Sequence, residues 1–424
     1  MILYNYQNTI NKFLLIIAPL FFLIIKGWIN VVLFILFINS LCYLYFEKKK
    51  LNKFYDKSLI ISIVVLFLPF CGIFITQTLR NDYFLQNYDP FLRLIFFSLI
   101  FISVVRGWLC VGTTSITEYW ARFSLPLSAI FTVSTYIFWV NNWGSGRLTT
   151  YFVDPLTFAS FGILFLIISI YSYIFYYQKS SKIEKFIQIL GSLSGLIIAV
   201  SSGSRTGWLD IPLFLITLSI YYLNKNKGSL KTFCFCFGFL FIICITVYLN
   251  ELLYNKFMLM ITQLINYKWN SMNDDGSVTL RINYLRNSLY YFSEQPFQGW
   301  GDLGWKNIMN SNELTFYSSF YSRQFAEHGF HNEILTNMVR SGIFGLCSSI
   351  SIIFYPIFFS VFFLRNSCDF GKSLLLFCII VSSQRFVTSM STEIYNLTYL
   401  ASINSILIFI PIAEYLHYKY ISQK

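Results

Sequence analysis

His331-Asn332, then nine residues, then Gly342-Ile343-Phe344-Gly345 hold the side chains of this chain best suited to chemistry. An imidazole is largely neutral at pH 7 and can take a proton from a sugar hydroxyl. Polar residues precede His331 and apolar ones follow, so it sits where a hydrophilic loop meets a membrane helix. Glu327 lies four residues earlier, and on a helix that spacing lets a carboxylate orient the ring and raise its basicity. On the same helix His331, Ile334, Leu335 and Met338 share one face, while Glu333, Asn337 and Arg340 share another. A histidine bordering an apolar face can also be structural, holding the loop shut, and the sequence leaves both readings open. His328 reads as a solvated loop residue and His417 as an interface residue.

Arginines supply the second chemical theme. A guanidinium is a planar fork matched to phosphate oxygens, whereas an ammonium is a point charge. Arg80, Arg147, Arg205 and Arg385 fall in short loops that hold hardly any lysine. Helix-end arginines snorkelling to a membrane interface give the same pattern. Arg205 differs, because Ser201-Ser202-Gly203-Ser204-Arg205-Thr206-Gly207 is a polar, small-residue hinge between two apolar runs. Exposed N–H groups and hydroxyls beside an arginine form a nest for an anion.

These residues must be positioned by membrane helices. Of 424 residues, 56% are hydrophobic, 20% aromatic and only 12% charged, with mean hydropathy +0.59. A soluble domain carries about 25% charged residues, so the chain is an all-α, polytopic membrane protein. About twelve apolar spans are expected, centred on 15–25, 31–46, 60–75, 94–110, 125–140, 157–176, 187–201, 208–223, 232–249, 343–364, 373–386 and 399–415. The first is followed by Lys26-Gly27-Trp28 with no small-residue cleavage site, so it reads as a retained helix. Three parts result: helices one to nine over 1–250, a large loop with substrate-binding helices over 251–341, and three last helices over 342–424.

Alternate loops gather Lys12, Lys48–Lys50, Lys53, Lys57, Lys179, Lys182, Lys185, Lys225, Lys227, Lys231, Lys372, Lys419 and Lys424. The positive-inside rule makes that side cytoplasmic, with both termini inside and the large loop outside. The net charge of +12 then requires no nucleic acid. The loop opens with an amphipathic stretch (Leu252, Phe257, Met260, Ile261, Leu264) suited to the bilayer surface. After a turn at Asn273–Ser277, Ser277 or Thr279 can cap a helix through about Phe292, with Leu285, Leu289 and Phe292 on one stripe. Arg281 and Arg286 on that helix point in different directions.

Other chemistries find little support. The nine cysteines lie almost wholly in apolar spans without C-x-x-C spacing, so buried thiols are expected, with neither zinc nor a disulfide framework. No glycine-rich phosphate loop occurs, and Asp274-Asp275 reads as a turn before it reads as a metal site.

With these residues in place, the chain resembles the O-antigen ligase family, part of a wider group of O-antigen ligases and polymerases. The family's histidine signature, H-[NSQ]-x9-G-x-x-G, matches His331, Asn332, Gly342 and Gly345. Its arginine before the eighth span matches Arg205 in Ser204-Arg205-Thr206. Its loop arginine, ahead of a P-[FL]-x-G-x-G segment, matches Arg281, with Phe292, Pro296 and Gly299-Trp300-Gly301 following. The Arg147 loop fits loosely.

The resemblance implies a fold with both termini in the cytoplasm and a periplasmic loop before the tenth span, in a bacterial inner membrane. It implies an inverting transfer of O-antigen polysaccharide from undecaprenyl diphosphate to the lipid A–core oligosaccharide, with no metal, ATP or other cofactor. Arg205 and Arg281 would hold the diphosphate and His331 would take the acceptor proton, with Glu327, Asn332, Arg147 and Arg286 in support. The partners implied are the lipid-linked donor, the lipid A–core acceptor and membrane lipids. An O-antigen polymerase uses the same donor, and a flippase or other transporter is the reading from another class. Transporters show repeated halves and paired intramembrane charges, and the two halves of this chain do not resemble each other.

Overall fold

The computed structural model describes residues 2–46, 56–108, 115–137, 147–204, 210–224, 251–269, 276–301 and 329–422. Among them the regular structure is helical. The helices are α1 (Ile2–Phe21), α2 (Trp28–Phe46), α3 (Lys57–Arg80), α4 (Asp89–Val105), α5 (Ile116–Tyr119), α6 (Leu125–Tyr136), α7 (Pro155–Phe175), α8 (Lys182–Ser201) and α9 (Asp210–Asn224). Then follow α10 (Glu251–Ile265), α11 (Ser277–Glu294), α12 (Glu333–Leu364), α13 (Asp369–Ser389) and α14 (Thr398–Ser422). Eight described helices are long and apolar enough to cross a membrane: α2, α3, α4, α7, α8, α12, α13 and α14. The protein is thus an all-helical, polytopic membrane protein. Of the spans expected from sequence, the one at 232–249 lies outside the described residues, α6 is described for only 12 residues, and α1 ends at Phe21 rather than running on to Ile25.

Local sequence explains where helices begin. Asp56 accepts the Ser58 N–H at 2.8 Å to start α3, and Asp154 accepts from Leu156 and Thr157, with Pro155 at the first position of α7. Ser181 and Glu184 form a reciprocal capping box at α8. Asn81, with φ of 55°, closes α3 in the left-handed conformation. By contrast α11 is preceded by Gly276 with no side-chain cap, so neither Ser277 nor Thr279 performs that role. The Gln263 side-chain oxygen of α10 takes the Val278 N–H instead.

In the bundle α7 packs on α8, α14 on α4 and α13, and α12 between α3 and α13. A single apolar core joins them, with Phe22, Phe97, Phe101, Phe165, Phe377 and Phe409 fully buried. Of the five described cysteines Cys378 is buried, but Cys71 and Cys347 are exposed on helix surfaces and Cys368 is exposed at the cap of α13, contrary to the sequence expectation.

The bundle has two ends of different character. One gathers the described lysines Lys57, Lys179, Lys182 and Lys419 around the start of α3, the α7–α8 turn and the end of α14. The other holds the end of α3, the starts of α7 and α9, α11, the start of α12 and the α13–α14 loop, and there His331 is found.

Candidate functional site at the histidine end

His331 does not lie on a helix. Its φ is 47°, in the left-handed region, and Gly329 two residues earlier has φ of 117°. The helix starts only at Glu333, because the Asn332 side chain accepts the N–H groups of Ile334 (3.0 Å) and Leu335 (3.1 Å). The expected helical i,i+4 pairing of Glu327 with His331 is therefore broken at 329–331, and Glu327 itself lies outside the described residues. The expected face of His331 with Ile334, Leu335 and Met338 fails for the same reason. Asn332 is accounted for as the cap. A left-handed residue costs about 1–2 kcal/mol, so the turn must be held by its surroundings. The Phe330 N–H donates to Thr336 Oγ1 at 3.0 Å, and Thr336 Oγ1 donates to Glu393 at 2.7 Å.

The imidazole is half-buried against α11, its ring centroid 5.9 Å from that of Tyr284. Tyr284, Tyr291 and Phe330 form a small aromatic cluster with Val339, and Trp300 packs on it. Burial pushes the Tyr284 and Tyr291 phenols above their ordinary range, so both stay neutral beside the histidine. The face of α11 that packs inward thus carries Tyr284, Arg286, Asn287, Ser288 and Tyr291, while Leu285 and Leu289 are exposed. The sequence stripe through the leucines identified the helix but not its buried side, because the aromatic tyrosines offer more area to pack.

The second half of the signature makes a kink. In α12, Ser341 (φ −131°, ψ 21°) and Gly342 (φ 56°, ψ −143°) leave helical geometry. The Pro296-Phe297-Gln298-Gly299-Trp300-Gly301 segment is laid into that break. Ile343 N–H donates to Pro296 O at 2.8 Å, and Trp300 N–H to Val339 O at 2.9 Å. A Cβ on Gly342 would lie 2.5 Å from Pro296 O, and one on Gly299 2.5 Å from Arg340 O, so both positions require glycine. Arg80, from the end of α3, donates to the Gln298 and Arg340 carbonyls and to Asp82. Two motifs 40-odd residues apart in sequence are one interlocked object that aims the start of α12.

A third brace comes from the α13–α14 loop. Buried Glu333 accepts the Ile394 N–H (2.7 Å) and Tyr395 N–H (3.0 Å) through Oε2 and the Asn337 amide (2.7 Å) through Oε1. Arg340 donates to Asn396 at 3.1 Å. The sequence placed Arg80 among the short-loop arginines and Glu333 on one face with Asn337 and Arg340 but did not name Glu393, and it gave none of the long-range partners, which are 57 to 260 residues distant.

The arginines divide. Arg205 lies outside the described residues, but the hinge leading to it is defined: Leu148 N–H donates to Ser201 O at 2.9 Å, and the Arg147 side chain runs over Gly203. Arg147 is thereby brought to the hinge. Arg281 is exposed near the start of α11, whereas Arg286 is buried and donates to Trp269 O at 2.7 Å, a structural bond tying α11 to the segment that follows α10. Arg385, expected in a short loop, lies inside α13 and is fully buried.

A polytopic helical membrane protein with a polar loop clamped onto a kinked helix is the class that this architecture defines. Residues 190–350 match the family model described as O-antigen ligase. The matched segment runs from α8 through the kink of α12 and includes Arg205, Arg281, His331, Gly342 and Gly345. By that match residues 190–350 are similar to the O-antigen ligase family. No curated protein matched the chain.

Proposed function

We propose that the protein is an O-antigen ligase, transferring O-antigen polysaccharide from undecaprenyl diphosphate to the lipid A–core oligosaccharide in lipopolysaccharide synthesis. The observation that carries this reading is His331, held in a left-handed turn just before the start of the kinked α12, inside the segment that matches the family. The acceptor hydroxyl oxygen attacks the anomeric carbon and the carbon–oxygen bond to the diphosphate breaks, inverting the centre. His331 receives the hydroxyl proton. Undecaprenyl diphosphate departs with the bonding electrons, and Arg205 and Arg281, with Arg147 beside the hinge, offset its charge. Because the donor carries its own leaving group, the reaction needs neither ATP nor a divalent cation. The site faces the periplasm of a bacterial inner membrane, and the lysine end faces the cytoplasm.

Purified protein supplied with lipid-linked polysaccharide and lipid A–core should form the ligated product in chelator without ATP. Dependence on a divalent ion would contradict the mechanism. A deletion strain should show bare core on a lipopolysaccharide gel while polymer accumulates on the carrier; core bearing one repeat would instead identify a polymerase. A reporter after Lys424 should read cytoplasm and one near Ser311 periplasm, and the reverse would overturn the orientation.

A further inference from the structure

Arg385 is the least satisfied charge among the described residues. It is 1% exposed, in the last turns of α13, and none of its three guanidinium nitrogens has a hydrogen-bond partner. The Phe161 ring of α7 covers one face of the guanidinium, 4.0 Å from its carbon. The neighbouring Gln384 does not serve it, as Gln384 Nε2 donates to Ser160 O, Ser160 Oγ and Thr388 Oγ1. Asp210, the first residue of α9, acts on Arg385 electrostatically, yet the two make no ion pair within 4.0 Å, and both carboxylate oxygens of this 2% exposed residue lack a well-formed hydrogen bond, with the Gln384 amide their polar neighbour. An arginine does not escape burial by losing its proton. A buried guanidinium with every donor open is costly in a membrane protein and marks a place where a ligand completes the site.

Its position narrows the ligand. Arg385 lies near the histidine end, among the starts of α7 and α9 and near Tyr395 and Tyr399. Asp210 is five residues after Arg205, while Tyr395 belongs to the loop that Glu333 holds against the start of α12. Arg385 therefore sits between the start of α9 and the loop held against the helix that follows His331. We infer that Arg385 is the floor of an anion site between α7, α9 and α13, and that it binds a phosphate group of a lipid-linked diphosphate through its in-plane N–H groups. This rests on the proposed function. Asp210 holds the empty site's charge in balance and opposes the incoming anion.

The test is the affinity of the full-length protein in nanodiscs for undecaprenyl diphosphate, with inorganic diphosphate as a second probe. Arg385→Gln should weaken lipid binding roughly 10- to 100-fold, the scale for losing charged hydrogen bonds. Arg385→Lys should fall between it and wild type. Asp210→Asn should tighten binding, because a negative charge facing the anion is gone. Inorganic diphosphate should compete with the lipid on the wild type and lose affinity for Arg385→Gln in parallel; a loss confined to the lipid would mean that Arg385 serves the hydrocarbon chain, and would overturn the inference. So would unchanged binding by Arg385→Gln in a protein whose wild type binds normally. If Arg385→Gln does not fold, Asp210→Asn decides: tighter binding supports the site, whereas equal or weaker binding makes the pair a structural one. A wild type that binds neither probe would overturn the functional reading as well.

Discussion

Both ends of the bundle hold well-partnered charges, Arg80 and Glu333 among them at the histidine end, but they differ in the charges left open. At the lysine end, Arg122 donates to both Glu118 and Glu184 at 2.9 Å, Glu414 takes the Ile116 and Thr117 N–H groups and the Thr117 hydroxyl, and His417 bonds Val105 O. At the histidine end, Arg385 has no hydrogen-bond partner, Arg281 stands exposed, and His331 is held in a backbone conformation few residues adopt. Mutual satisfaction closes a helix terminus against water and lipid. Leaving donors open costs stability and makes sense where a charged substrate supplies the missing acceptors.

The largest effects should follow from disturbing the open end. If Arg205 and Arg281 grip a diphosphate through forked bonds, lysine should rescue neither, since it cannot reproduce the fork. Arg205→Lys and Arg281→Lys should each lose roughly 2–4 kcal/mol of transition-state stabilisation, on the order of 30- to 1,000-fold in rate at equal expression. Wild-type turnover in either would remove that residue from the site. Next comes Gly342→Ala, whose Cβ meets the Pro296 carbonyl in a backbone region suited to glycine. It should cost about 1–3 kcal/mol of stability and slow transfer by moving the start of α12. A melting temperature equal to wild type would show that the kink tolerates a side chain.

The smallest effect on turnover belongs to the closed end. Arg122→Gln breaks both pairs there and should lower stability by about 1–3 kcal/mol, with turnover of the folded fraction unchanged. A fall in turnover at constant fold would mean that the two ends communicate, and the division of labour drawn between them would fail.

The same contrast governs what could be read from sequence. Apolar runs and lysine placement mark the spans because membrane burial acts on each segment independently, and α7, α8, α12 and α13 fall where those runs lie. The signature glycines were legible as a motif, but not their reason, since the clamp requires Pro296 and Arg80 to arrive from elsewhere in the chain. His331 was misread as geometry: a polar residue four after Glu327 suggests a helix, and only the Asn332 cap and the Thr336–Glu393 brace reveal the turn. Arg385 looked like a loop residue because nothing in its neighbourhood compensates a charge, and that missing compensation is its most informative property.

The central claim is that His331 takes the acceptor proton, and it is tested most directly by measuring donor binding and turnover together on His331→Ala. Binding of the lipid-linked donor and the melting temperature should match wild type, while transfer falls by roughly 10²- to 10⁴-fold, the usual worth of a general base. His331→Gln should be almost as inactive, and wild-type rate should rise with pH across the range in which an imidazole loses its proton. Loss of donor binding or of the fold in His331→Ala, or turnover near wild type, would make the histidine a binding or structural residue and contradict the account.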